Sequence, residues 1–176
     1  MRTHRRSLMA DVSSLIRQRS RSRLETWLVL FGALVCVACH TPARSAVPAA
    51  TEMSRGVIDP YLKIGAALAA DSMEGVTANA GEIATAASAL GALAFKIDTA
   101  AAQLTGAADL ADARTKFGVL SEAIDSYMTN QHLTSPEGVR VAFCPMVLKP
   151  WLQKAGDLRN PYYGSQMLTC GSFRNN

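Results

Sequence analysis

Two stretches of this chain repeat apolar residues at alternating three- and four-residue intervals, and that spacing constrains the fold more than any other feature. Val76, Ala80, Ile83, Ala87, Leu90 and Ala94 form one seam, and Leu110, Ala113, Phe117, Leu120, Ile124 and Tyr127 the other. Residues so spaced share one face of an α-helix, and the small side chains of the first seam let a neighbouring helix approach closely. Ile58, Tyr61, Leu62, Gly65 and Leu68 predict a further helix that starts near Asp59-Pro60, because proline suits a first helical turn. Asp71-Ser72-Met73-Glu74 has the form of a capping box and marks a break and a restart. Ile97 to Leu104 reads as a short helix closed by Gly106. Glu82, Asp109, Asp112, Arg114, Lys116, Glu122 and Asp125 fall largely off the seams and read as a solvated face. The expectation is an all-α fold, a small up-and-down helical bundle with an irregular Cys/Met-containing C-terminal segment packed on it.

The charge of the chain is unevenly placed. Its formal net charge is +4, but residues 1–46 hold eight arginines against Asp11 and Glu25, leaving the remainder at −2. The part that folds is therefore mildly acidic, which speaks against a nucleic-acid partner. The arginine-rich start, the apolar run Trp27 to Cys39 and the small residues after it have the build of a secretory signal peptide. The run is shorter than the roughly 20 apolar residues of a membrane span. Residues 1–46 are thus read as a leader, 47–56 as a flexible tether and 57–176 as the folded domain, exported to the periplasm. Val37-Ala38-Cys39 also resembles the end of a lipobox, through which a lipidated Cys39 would tether the protein to a membrane. The ~125 residues after the leader suffice for one modest core.

After His132 the texture changes. Val139-Arg140-Val141-Ala142-Phe143 alternates like a short strand. Trp151 and Leu152 are expected to dock the tail onto the bundle, and Asn160-Pro161-Tyr162-Tyr163-Gly164 supplies turn chemistry at both ends. Cys144-Pro145-Met146 and Met167-Leu168-Thr169-Cys170 each place a thiol and a thioether within a few residues. Such a donor set selects soft monovalent ions, Cu(I) and its surrogate Ag(I), and suits zinc less well. In an exported domain with two cysteines, a Cys144–Cys170 disulfide with Met146 and Met167 as core filler accounts for the residues equally well. His132 reads as a cap or surface residue. The chain shows no Cys-x-x-Cys on a helix terminus within a βαβ pattern, no Ser/His/Asp arrangement and no phosphate-cradling glycine loop, and the expectation is a non-enzyme.

The segment FCPMVLKPWLQKAGDLRNPYYGSQMLTCGSF resembles the C-terminal signature of the DUF3347 family, in which Cys-Pro-Met, Trp-Leu-Gln, Asn-Pro-Tyr-Tyr-Gly and Met-Leu-x-Cys-Gly occur in this order. Ala113-Arg114 to Phe117 with Leu120-Ser121 is similar to its Arg-x-x-Phe-x-x-Leu-Ser stretch, so the likeness spans about residues 57–173. That family consists of small periplasmic helical domains, free-standing or appended to adaptor subunits of heavy-metal efflux pumps. The resemblance implies a metal-resistance setting, an efflux system as partner, and Cys144, Met146, Met167 and Cys170 as ligands. The adaptor barrel and hairpin of the appended form have no counterpart in this sequence.

Overall fold

Among the described residues the first helix starts at Arg55, four residues before the point where Asp59-Pro60 predicts it. The computed structural model describes residues 51–175, which fall within one unit running from Pro48 to Asn176. The leader, with Cys39, and the first four residues of the expected tether lie outside the described residues. The rest of that tether is ordered. Met53 N–H donates to the Thr134 carbonyl at 3.0 Å, Thr134 N–H donates to the Thr51 carbonyl at 2.9 Å, and the Met53 side chain is buried. Once Met53 is pinned in the core the helix can start directly after it, and Pro60 falls inside the helix.

Among the described residues, four α-helices succeed one another: α1 (Arg55–Ala69), α2 (Val76–Ala89), α3 (Phe95–Thr105) and α4 (Leu110–Asn130). Each packs on its neighbour in the sequence, as short connections favour. The seams point inward as their spacing requires, with Val76, Ala80, Ile83 and Ala87 of α2 and Ala113, Phe117, Leu120 and Ile124 of α4 all fully buried. Leu90, past the end of α2, is exposed, and Leu110 and Tyr127 at the two ends of the second seam are half-buried. The α1–α2 break stands where Asp71 to Glu74 mark it, but Asp71 caps no helix; its carboxylate turns to Arg114 and to the backbone of Ser165. The reciprocal cap occurs instead at α4, where Asp109 accepts from Asp112 N–H at 2.8 Å and Asp112 accepts from Ala108 N–H at 2.9 Å.

The expectation of an all-α bundle is overturned by the segment after α4. Val139–Cys144 (β1) pairs antiparallel with Lys149–Lys154 (β2), with Val139 opposite Lys154 and Cys144 opposite Lys149. On its other side β1 pairs with Ser172–Phe173 (β3), giving the order β2-β1-β3 and a mixed α and β fold. The alternation in β1 is visible in the sequence, but its partners are not. In β2 three consecutive residues, Pro150, Trp151 and Leu152, are buried, so the strand has no polar face to alternate with.

Proline is tolerated in β2 because this is an edge strand, and the edge is closed by side chains rather than by a further strand. Leu152 N–H donates to the Tyr61 hydroxyl at 3.3 Å, and the Tyr162 hydroxyl donates to the Pro150 carbonyl. Tyr61 in turn meets Ser121 Oγ at 2.6 Å, and Ser121 donates to the Phe117 carbonyl at 2.8 Å. Burial holds both tyrosine hydroxyls far above their ordinary pKa, so they remain neutral. Tyr61 stacks on Phe117 at 4.7 Å, and Tyr162 stands edge-on to Trp151 at 6.0 Å, so one aromatic array joins α1, α4, the sheet and the tail.

Candidate functional site

The β1–β2 hairpin turns through Pro145 to Leu148, which puts Cys144 at the last position of β1 and Met146 at the tip. The tail returns to the same place. After β2 the chain makes an exposed turn, re-enters the interior at Asn160, bends through Pro161-Tyr162-Tyr163-Gly164, and continues as Met167 to Cys170 before pairing with β1 as β3. Asn160 N–H donates to the Leu168 carbonyl at 2.7 Å, and Cys170 N–H donates to the Met167 carbonyl at 3.0 Å. The turn expected at Asn160 to Gly164 therefore does fold the second arm back onto the first.

Asn160 is the point at which the two arms join. Its carboxamide is fully buried, and its nitrogen donates to Cys144 Sγ at 3.3 Å and to the Cys170 carbonyl at 2.8 Å. Its oxygen accepts Tyr162 N–H at 2.8 Å. Every polar atom of the side chain is thus used, and one amide group fixes the distance between the Cys144 thiol and the Cys170 backbone. Cys144 and Cys170 are both free thiols.

The four expected ligands form a gradient from core to solvent. Cys144 is 0 % exposed, Cys170 is partly buried, Met167 is 36 % exposed and Met146 is 60 % exposed. Cys144 and Cys170 are tied through Asn160, and Met167 is tied to Cys170 by their shared turn. Met146 instead projects from the hairpin tip. Among the described residues no group of three or more His, Cys, Asp and Glu side chains assembles. The thioethers of Met146 and Met167 are donors that soft cations accept. His132 is exposed at the end of α4 with a left-handed backbone and takes no part.

A second cluster holds the returning arm down, and little in the sequence announces it. Arg114, read as part of a solvated face, is mostly buried, with its side chain 17 % exposed. Its guanidinium donates to the Leu68 carbonyl at 2.9 Å, to the Pro161 carbonyl at 3.1 Å and to Asp71 Oδ1 at 2.5 Å. Asp71 also accepts Ser165 N–H at 3.2 Å. Hydrogen bonding to Ser165, then the Arg114 guanidinium, holds the Asp71 carboxyl down at about 2. Gly164 lies against this pair with φ +55, where a side chain would meet both Asp71 and Arg114. The only sequence signal for the cluster is that Arg114 stands within the motif Arg-x-x-Phe.

No family model, curated protein or solved structure matches this chain.

Proposed function

We propose that this chain is a soft-metal-binding domain that takes Cu(I) or Ag(I) through Cys144, Cys170, Met146 and Met167 and either sequesters the ion or passes it to an efflux system. The observation that carries this reading is the joining of the two sulfur-bearing arms at Asn160 while both thiols stay free. The ligand gradient suits transfer. Met146 and Met167 stand where a diffusing ion arrives, and Cys170 and Cys144 lie progressively deeper. Soft ions of low coordination number exchange one ligand at a time, so such a ladder serves both entry and release. Each thiol that binds exchanges its proton for the sulfur–metal bond, and the proton leaves to water. The periplasmic setting and the efflux partner rest on the leader and on the likeness to the DUF3347 pattern. No catalytic step is assigned.

Titration of the reduced protein with Cu(I) against a competing chelator tests the reading. The Met146→Ala, Met167→Ala double variant is expected to bind at least about tenfold more weakly. An unchanged affinity sinks the four-sulfur site.

A second reading, a structural or interaction module of the cell envelope without metal, draws support from the burial of Asn160, Tyr162 and Trp151, which knits the tail into the core. Protein isolated from metal-replete cells separates the two readings. A Cys144–Cys170 disulfide found there by mass spectrometry favours the module, and a bound soft ion favours the first reading.

A further inference from the structure

We infer that Asn160 is the positioning residue of the soft-metal site, holding Cys144 ready as its inner ligand; this rests on the soft-metal reading. A buried ligand depends on the groups bonded to it for its position and orientation. Cys144 is such a residue, with no exposed surface. The group that faces its sulfur is the Asn160 amide, which donates an N–H at 3.3 Å. That N–H lies where it supports the sulfur as a ligand, as hydrogen-bond partners of metal ligands do.

The same nitrogen directs its other hydrogen to the Cys170 carbonyl at 2.8 Å, and the oxygen is anchored by Tyr162 N–H. The Asn160 side chain therefore cannot turn away from Cys144 without losing its bond to the Cys170 carbonyl as well. The two thiol-bearing segments are held together before any ion arrives, and the cost of assembling the site is met during folding. Partners of this kind, outside the ligand set but bonded to it, typically change metal affinity by about 10- to 100-fold.

The test uses Ag(I) and the reduced protein. Asn160→Asp keeps the acceptor for Tyr162 N–H, removes both donors and faces the sulfur with a carboxylate. It is expected to weaken Ag(I) binding by about 10- to 100-fold. In a double-mutant cycle with Cys144→Ser, the Asn160→Asp change should cost clearly less than in the wild type, because the part of its effect that passes through that sulfur is already gone. Equal losses in both backgrounds would mean a merely structural role and overturn the proposal. If Asn160→Asp does not fold, the wild type decides. Its Asn160 side-chain amide resonances should shift in a nitrogen–proton correlation spectrum on adding one equivalent of Ag(I). Resonances that stay in place while Ag(I) binds overturn the role of Asn160 alone, whereas a wild type that does not bind Ag(I) removes the underlying reading with it.

Discussion

Asn160 and Gly171 both seat the tail against β1, and they owe their identities to opposite needs, one to fill every hydrogen bond and the other to leave room. A Cβ placed on Gly171 would sit 2.6 Å from Trp151 Cη2 and 2.8 Å from the Phe143 carbonyl, at φ +138. Neither neighbour can yield, since Trp151 is buried against Tyr162 at the end of the aromatic array and Phe143 is in the ladder. Gly171→Ala is therefore expected to cost about 2–3 kcal/mol, from overpacking and from a backbone conformation that side chains resist. A lowered denaturant midpoint at unchanged slope would show it. Trp151→Ala is expected to cost about 3–5 kcal/mol, as for other large buried aromatics. That would identify Trp151 as a core anchor of β2.

At the level of elements, the returning arm depends on Arg114. Its guanidinium ties α1, α4 and the turn after Asn160 together through Leu68, Pro161 and Asp71. Arg114→Met removes the donor that these three acceptors share and is expected to cost about 1–3 kcal/mol. The loss should be local. In hydrogen exchange the amides of Gly164, Met167 and Cys170 are expected to lose protection while the interiors of α2 and α3 keep theirs. Acid should act on the same tie. Asp71 titrates at about 2 in the folded protein, below its ordinary 3.8, so its contribution is fully present above about pH 4 and is lost as pH falls towards 2. An Asp71→Asn variant should lack that component, and its melting temperature should fall less steeply than the wild type's across this window. The helices were legible in the sequence because their seams repeat through several turns, and β1 was legible because it alternates. β2 was hidden because three of its successive residues are buried and its edge is closed by tyrosine hydroxyls, and β3 is too short to leave a pattern. The site was half legible. The sulfurs and the turn could be read locally, but the partners of Asn160 and Arg114 lie far along the chain, and no local spacing encodes them.

For the whole molecule, a preassembled site has a thermodynamic signature distinct from mere affinity of thiols for silver. A ligand stabilises a protein only to the extent that it binds the folded form better than the unfolded one. The unfolded chain also offers Cys144 and Cys170, as separate thiols with no fixed spacing, and these bind Ag(I) too. The melting shift therefore measures what folding adds, which is the convergence of the two arms at Asn160. With free Ag(I) buffered at about one hundred times the dissociation constant and negligible binding to the unfolded chain, the gain is about 2.7 kcal/mol. For a domain of this size that corresponds to roughly 10 °C in melting temperature. Binding to unfolded thiols lowers the shift, so the expected rise lies below that ceiling and above zero. The Met146→Ala, Met167→Ala variant, if it binds tenfold more weakly, should retain about half of the wild-type gain at the same free Ag(I), because a tenfold change is worth about 1.4 kcal/mol. Calorimetry at buffered Ag(I) measures both. A wild-type shift of zero would mean that folding brings the sulfurs no closer to a common ion than the unfolded chain does, and the convergent site would have to be abandoned.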